Sequence, residues 1–354
     1  MKILDRYIGW SVIINMVVVM VVLLSLFTFV GFFEEVDYIG KGRYGVSEAI
    51  LYIVLSLPSL ISQLMPMTAL LGCTVGLGML AGNSELVAIR SAGVSLRRIV
   101  WSVMKVGILA MVFVAVVGEW VGPHSERLAQ TLRSVALSNQ LSMGGKQGLW
   151  AKDGTNIINA RKFLPGERLG EIYIYEMDDQ HRLIRLIQAQ TASYRNERWI
   201  LENVLQNELK ENQVITAAKK ELAWDTTISP DLLSVVTVKP NTLSTWGLYQ
   251  YIEYLQANGL SSSNYVQAFW SKLASPLATG IMVLLAIPFV FGPLRSVSVG
   301  QRVLVGVLTG VAFHLLTQTF AYVGLVFKLN SAFSVFLPLI LAAMAAYWLF
   351  KRVY

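Results

Sequence analysis

Glu85 is the first residue whose type and place suggest chemistry. It follows Asn83-Ser84 and opens a short amphipathic stretch, NSELVAIRSAGVSLRR, from Asn83 to Arg98. Asn and Ser cap helix N-termini, and a carboxylate beside them is favoured by the helix dipole. An exposed carboxylate on such a helix can pair with an arginine of a docking partner, with Ser84 and Arg90 on the same segment. The stretch would equally lie flat on a membrane surface. Lys41 and Arg43 stand in a loop of mixed charge, Glu34 to Glu48. They suit lipid phosphates, or simply solvent. Lys272 lies near the start of an apolar run, where its stem can carry the ammonium to the interface. His314 and Gln318 share a face at i, i+4 in another apolar run. A buried polar pair of this kind marks a transport path or a hydrogen bond that fixes helix packing.

The constellations of an enzyme are missing. Walker A needs GxxxxGK[ST] to cradle phosphates in backbone N–H groups. Gly144-Gly145-Lys146 and Gly40-Lys41-Gly42 lack that frame. GxSxG, Cys–His and HExxH arrangements are also missing. Cys73 is the one cysteine, so a disulfide within the chain and a Cys-based metal site are both excluded. The three histidines, His124, His181 and His314, are far apart.

The elements that carry these residues belong to a membrane protein. Only 14% of the 354 residues are charged, against about 25% in soluble domains, and the mean hydropathy is +0.55. Trp10 to Phe33 is long enough to span a bilayer and too long for a cleavable signal. Ala49 to Ser84 has 36 residues without a charge. That suits one long helix, kinked or broken at Pro58 and Pro66. Its Gly72 and Gly76 form a small-xxx-small pair for close helix approach. Ile99 to Gly118 is a third span, ended by Gly122-Pro123. Further spans fall near 267–291, 303–327 and 333–350, six in all. Gly306 and Gly310 form a second small-xxx-small pair.

Between the third and fourth spans lies a polar segment of roughly 130–240. Its β-prone stretches (Glu171–Tyr175, Leu183–Ile187, Trp199–Leu201) predict a small all-β sandwich or jelly roll, followed by a helix over Leu243–Ala257. Within EIYIY either Ile172/Ile174 or Tyr173/Tyr175 faces the interior. The chain thus divides into 1–122 (spans one to three), 123–264 (β domain and connecting helix) and 265–354 (spans four to six). From Pro123 to Asn264, 15 basic residues balance 15 acidic ones, so the net charge of +7 sits on the membrane part. Nine basic residues fall on the N-terminal side of the bilayer (Lys2, Arg6, Arg90, Arg97, Arg98, Arg295, Arg302, Lys351, Arg352) and three opposite (Lys41, Arg43, Lys328). The positive-inside rule then places both termini in the cytoplasm and the β domain outside. This placement also accounts for the pI near 9.4 without nucleic acid as a partner.

Five motifs occur in order: LDRYIG (Leu4–Gly9), SELVAIRSAGVS (Ser84–Ser95), GEWVGP (Gly118–Pro123), GLWAKDG (Gly148–Gly154) and FGPLRSVSVGQR (Phe291–Arg302). Together they resemble the permease family of the lipopolysaccharide export ABC transporter, LptF/LptG. The resemblance implies six spans with a periplasmic β-jellyroll between the third and fourth, in the bacterial inner membrane. It implies an LptF-like permease as partner, span one of each facing span five of the other, so that spans one and five gate a cavity. It also implies two LptB-like ATPase subunits that bind ATP and Mg, leaving this chain non-catalytic and without a cofactor. LptC-like and LptA-like proteins would carry lipopolysaccharide onward. Ser84–Ser95 corresponds to the family's coupling helix, so Glu85, Ser84 and Arg90 would meet the ATPase. Lys41, Arg43, Lys272, Ile172 and Ile174 are candidate lipid contacts. Where the family often has basic residues at the outer end of span one, this chain reads Glu34-Glu35. The alternative function is a mechanotransmitting or scaffold protein without a lipid path. Relatives of that kind usually have four spans. An ion-coupled transporter would want an acidic residue in mid-membrane.

Overall fold

The computed structural model describes residues 2–137, 149–164, 168–178, 180, 182–195, 198–210, 213–224, 226, 240–291 and 299–353. The motif over 291–302 lies largely outside them, as do Arg295 and His181. The chain divides into two compact units. One comprises Met1–Asp37, Ile53–Glu126 and Ser263–Tyr354. The other comprises Tyr38–Tyr52 and Arg127–Ser262.

The first unit is helical. Its elements are α1 (Lys2–Val36), α2 (Val46–Gly82) from Ile53 onward, α3 (Glu85–Ser91), α4 (Leu96–Val116), a π-helical turn (Val117–Val121), the start of α5 (Gly122–Leu137) as far as Glu126, α7 (Ser263–Phe291), α8 (Val299–Val326) and α9 (Ser331–Val353). Among the described residues the second unit holds the first turns of α2, the rest of α5 and helix α6 (Thr245–Ala257). Six stretches among the described residues are long and apolar enough to cross a membrane. The core gathers Ile8 and Val12 of α1, Leu70 and Leu77 of α2, Ile99 and Val103 of α4, and Met282 and Val283 of α7. Gly72 and Gly76 let α2 approach the backbone of α1 closely. A Cβ on Gly72 would lie 2.5 Å from Met16 Cα, and one on Gly76 3.1 Å from Val12 Cα.

Proline shapes two places here. α2 runs unbroken through Pro58 and Pro66. Pro66 has no N–H for the Ser62 carbonyl one turn back, and the Ser275 hydroxyl donates to that oxygen at 3.4 Å. Span three does not end at Gly122-Pro123, as its sequence suggests, but continues to Leu137 as a 42-residue helical stretch. The proline is absorbed by the π turn, in which the Gly122 N–H donates to the Val117 carbonyl, five residues back. Pro123 then falls in the first turn of α5, where a missing N–H is tolerated.

The second unit carries β1 (Leu149–Asp153), β2 (Asn156–Leu164), β3 (Arg168–Met177), β4 (Leu183–Arg195), β5 (Arg198–Lys210) and β6 (Gln213–Trp224). All neighbours pair antiparallel in sequence order. The sheet is open, consistent with a jelly-roll-like domain. A line of left-handed residues crosses it. Glu171 and Asn203 both have φ 52°, and both flank Gln190, where regular pairing is interrupted. Asn tolerates this region and its side chain can fix the turn; here Asn203 Nδ2 donates to Gln190 Oε1 at 2.8 Å. On either side of this line the buried positions change parity. Ile172 and Ile174 are buried with Ile187, Ala189 and Val204, but beyond it the buried set is Leu169, Ala192, Leu201 and Trp199. Left-handed residues re-aim side chains in this way. Helix α6 holds the first hairpin: Tyr254 Oη donates to the Lys152 carbonyl at 2.8 Å, and Gly154 N–H to Asn258 Oδ1 at 2.8 Å. Burial pushes the Tyr254 phenol above its ordinary range, which favours the neutral donor.

Candidate functional site

The N-terminal parts of α1, α3 and α4 meet at a polar junction around a predicted site residue. α3 is only seven residues long, Glu85 to Ser91. Ser84 at its N-cap has φ 62°, in the left-handed region, and makes no side-chain cap bond. The expected Asn-Ser cap is therefore not made. Ser84 turns the chain out of α2, its N–H on the Ala81 carbonyl at 3.1 Å, and Asn83 turns to Glu85 instead. The other end is a Schellman stop. Gly93, at φ 84°, donates to the Arg90 carbonyl, and Val94 N–H reaches the Ile89 carbonyl. Leu86 is buried beneath the helix, with Ile89 and Val94 packed on the same core.

Glu85 itself is half-buried, and its carboxylate is held on both oxygens. Tyr7 Oη donates to Oε2 at 2.7 Å, and Asn83 Nδ2 to Oε1 at 3.2 Å. Both donors are neutral, and between them they fix the direction of the carboxylate. Two turns of α4 clasp the neighbouring Asp5. Ser102 Oγ donates to Oδ1 at 2.8 Å, Lys105 Nζ to Oδ2 at 3.0 Å, and Arg98 Nε lies 3.7 Å from Oδ1. Asp5 and Tyr7 were missed as site residues. They belong to LDRYIG, which marks the resemblance, but nothing in the spacing of Tyr7 and Glu85, 78 residues apart, signals their contact. Ser84 and Arg90 are exposed on the same segment.

Lys41 and Arg43 lie exposed in the loop between α1 and α2, in the second unit. Gly42 permits the loop's path. Its φ is 63°, and a Cβ there would meet the Ala136 carbonyl oxygen at 2.7 Å. Arg43 N–H donates to that same oxygen at 2.7 Å. α5 also brings Arg133 to this loop, a residue missed from sequence. Its guanidinium sits 4.3 Å from the Tyr38 ring centroid and 5.4 Å from that of Tyr52. Lys41 Nζ lies 4.8 Å from the same Tyr38 centroid. Two cations gathered on one ring make a positive patch suited to phosphate oxygens.

Lys272 has its partner inside the helical unit. In the π turn the next five-residue bond would run from residue 123 to the Gly118 carbonyl, but Pro123 has no N–H. Lys272 Nζ donates to that carbonyl at 3.0 Å. The ammonium therefore completes a helix rather than reaching only for the interface. Ile172 and Ile174, not Tyr173 and Tyr175, are the inward pair of β3, both 0% exposed. His314 and Gln318 are exposed on α8 rather than buried as a pair. Gly306 and Gly310 turn to Leu71 and Met67 of α2 in the same chain, so that glycine face is already occupied.

Four of the five motifs thus resolve into structure at junctions between elements, and the fifth lies largely outside the described residues. Comparison with known proteins agrees with them. The family model for the lipopolysaccharide export system permease LptF/LptG matches residues 6–352. The lipopolysaccharide export system permease protein LptG of Haemophilus influenzae is 36% identical over 351 residues, 99% of this chain and 98% of that protein. LptG of Escherichia coli K12 is 35% identical over 353 residues, again 99% and 98%. With the family matched from end to end, and six candidate spans interrupted by one antiparallel sheet after the third, this chain belongs to the lipopolysaccharide export permease family LptF/LptG.

Proposed function

We propose that the chain is the LptG-type permease subunit of a complex that extracts lipopolysaccharide from the inner membrane and passes it to a periplasmic bridge. The observation that carries this reading is the joining of six apolar spans to one inserted β domain, in a chain that the family model covers almost entirely. An LptF-like permease pairs with it, and two LptB-like ATPases bind ATP and Mg and supply the work. Both termini are cytoplasmic and the sheet is periplasmic, where LptC-like and LptA-like proteins receive the lipid. α1 and α8 support a role at the gates. Only 17% and 11% of their apolar windows are buried within the chain, against 72% for α2. Lys41, Arg43 and Arg133 meet the lipid phosphates. Each acyl CH₂ withdrawn from the bilayer costs about 0.8 kcal/mol if exposed to water. A continuous apolar path, ending on the Ile172 and Ile174 face, avoids that cost.

Glu85 couples this path to ATP. An arginine of the ATPase reaches its carboxylate, which Tyr7 and Asn83 hold in one direction. The test is purification of the complex in mild detergent with Glu85→Ala. The variant is expected to insert and fold but to lose ATPase association or lipid export. Removing one partner of a partly buried interface pair costs about 2–5 kcal/mol. Wild-type export with the ATPase still bound would reject the coupling role.

A further inference from the structure

Two of the sequence motifs meet at one hydrogen bond, and their meeting has a consequence for coupling. Tyr7 of LDRYIG donates its phenolic proton to Glu85 Oε2 at 2.7 Å, and Glu85 opens the short helix α3. We infer that Tyr7 is a positioning residue that aims the Glu85 carboxylate and carries displacement of α3 into span one.

Three observations support this. First, Glu85 has neutral donors on both oxygens, Tyr7 and Asn83. Asn83 is only two residues away, its own N–H on the Met79 carbonyl of α2, so Tyr7 is the donor that joins the carboxylate to α1. Second, the first turns of α1 are already clasped to α4 through Asp5, by Ser102, Lys105 and Arg98. Ile8 at 0% exposure sits one residue beyond Tyr7 in the common core. A pull on Tyr7 therefore reaches a stiff junction rather than a loose terminus. Third, α3 is bounded by two left-handed residues, Ser84 and Gly93. It is a short lever whose polar tie to α1 is this phenol. The same α1 continues as the least covered span but one, so its inner end is linked to the coupling helix and its outer part to the proposed gate.

The inference rests on the proposed coupling role of Glu85, and the test separates the two. The full complex is reconstituted in proteoliposomes, and ATP hydrolysis and lipopolysaccharide release to a soluble acceptor are measured together. Tyr7→Phe removes one oxygen. It should leave the ATPase bound and active while the lipid released per ATP falls about tenfold, the factor for one lost hydrogen bond to a charged group. A purely structural defect would lower both rates together and leave the ratio unchanged. 4-Aminophenylalanine at position 7 restores a donor and should restore the ratio. The double variant Tyr7→Phe/Glu85→Ala should be no worse than Glu85→Ala, because the first residue acts through the second. An unchanged ratio in Tyr7→Phe beside a lowered one in Glu85→Ala overturns the role of Tyr7 alone. Unchanged ratios in both overturn the coupling reading. Failure of the amino analogue to restore the ratio also rejects the hydrogen bond as the link.

Discussion

Gly72 and Lys272 show how single residues set the geometry of the helical unit. A Cβ on Gly72 would press on Met16 backbone at 2.5 Å, whereas Gly82 has open space around it. Gly72→Ala should therefore lower stability in detergent by about 1–3 kcal/mol, the cost of overpacking. Gly82→Ala should be nearly neutral in the same thermal melt. Lys272→Met leaves the Gly118 carbonyl without its donor, at about 1–3 kcal/mol. Pro123→Ala supplies the missing N–H, so it should recover part of that loss in the double variant. A drop in export without a drop in melting temperature would instead place Lys272 on the lipid. The glycine pair in span two was legible, because i, i+4 small residues have one use in an apolar helix. The lysine was not. Its role depends on a proline 149 positions away in sequence, and only the fold joins them. Glu85 was legible as a charged helix head, while its phenolic donor was hidden for the same reason.

At the scale of elements, the spans were readable and the strands less so. Apolar length marks a span directly, and the six expected spans correspond to the six helical stretches. Span three runs past its expected end because a π turn accommodates Gly122-Pro123, a local rearrangement that composition does not encode. In the sheet, β3 could be read from EIYIY, but β6 is exposed along almost its whole length and carries no alternation to mark it. The parity change at Glu171 and Asn203 also defeats a strict period-two reading. Asn203→Val should destabilise the sheet by about 1–2 kcal/mol, since a branched residue pays the left-handed penalty. Asn203→Gly should cost less, and hydrogen exchange of β4 and β5 amides is the measurement. The inward pair of β3 is now settled. Photo-crosslinkers at Ile172 or Ile174 should trap lipopolysaccharide during ATP-driven transport, and those at Tyr173 or Tyr175 should trap much less. Equal trapping at all four positions, or trapping without ATP, would count against a groove.

For the whole molecule, charge and hydropathy carried the reading. A neutral 15-to-15 balance over the inserted segment leaves the basic excess with the membrane part, and the bias of Lys and Arg towards one side is what the proposal of internal termini rests on. The assembly proposed from it needs two sources of help: a second permease to cover α1 and α8, and an ATPase to engage Glu85. The most direct measurement is lipid transfer by the reconstituted complex. Proteoliposomes containing this chain, its LptF-like partner, the ATPase and lipopolysaccharide are incubated with a soluble periplasmic acceptor. The account predicts lipopolysaccharide on the acceptor only when ATP is present and only when this chain is included. An assembled complex that hydrolyses ATP yet moves no lipopolysaccharide to the acceptor would contradict it.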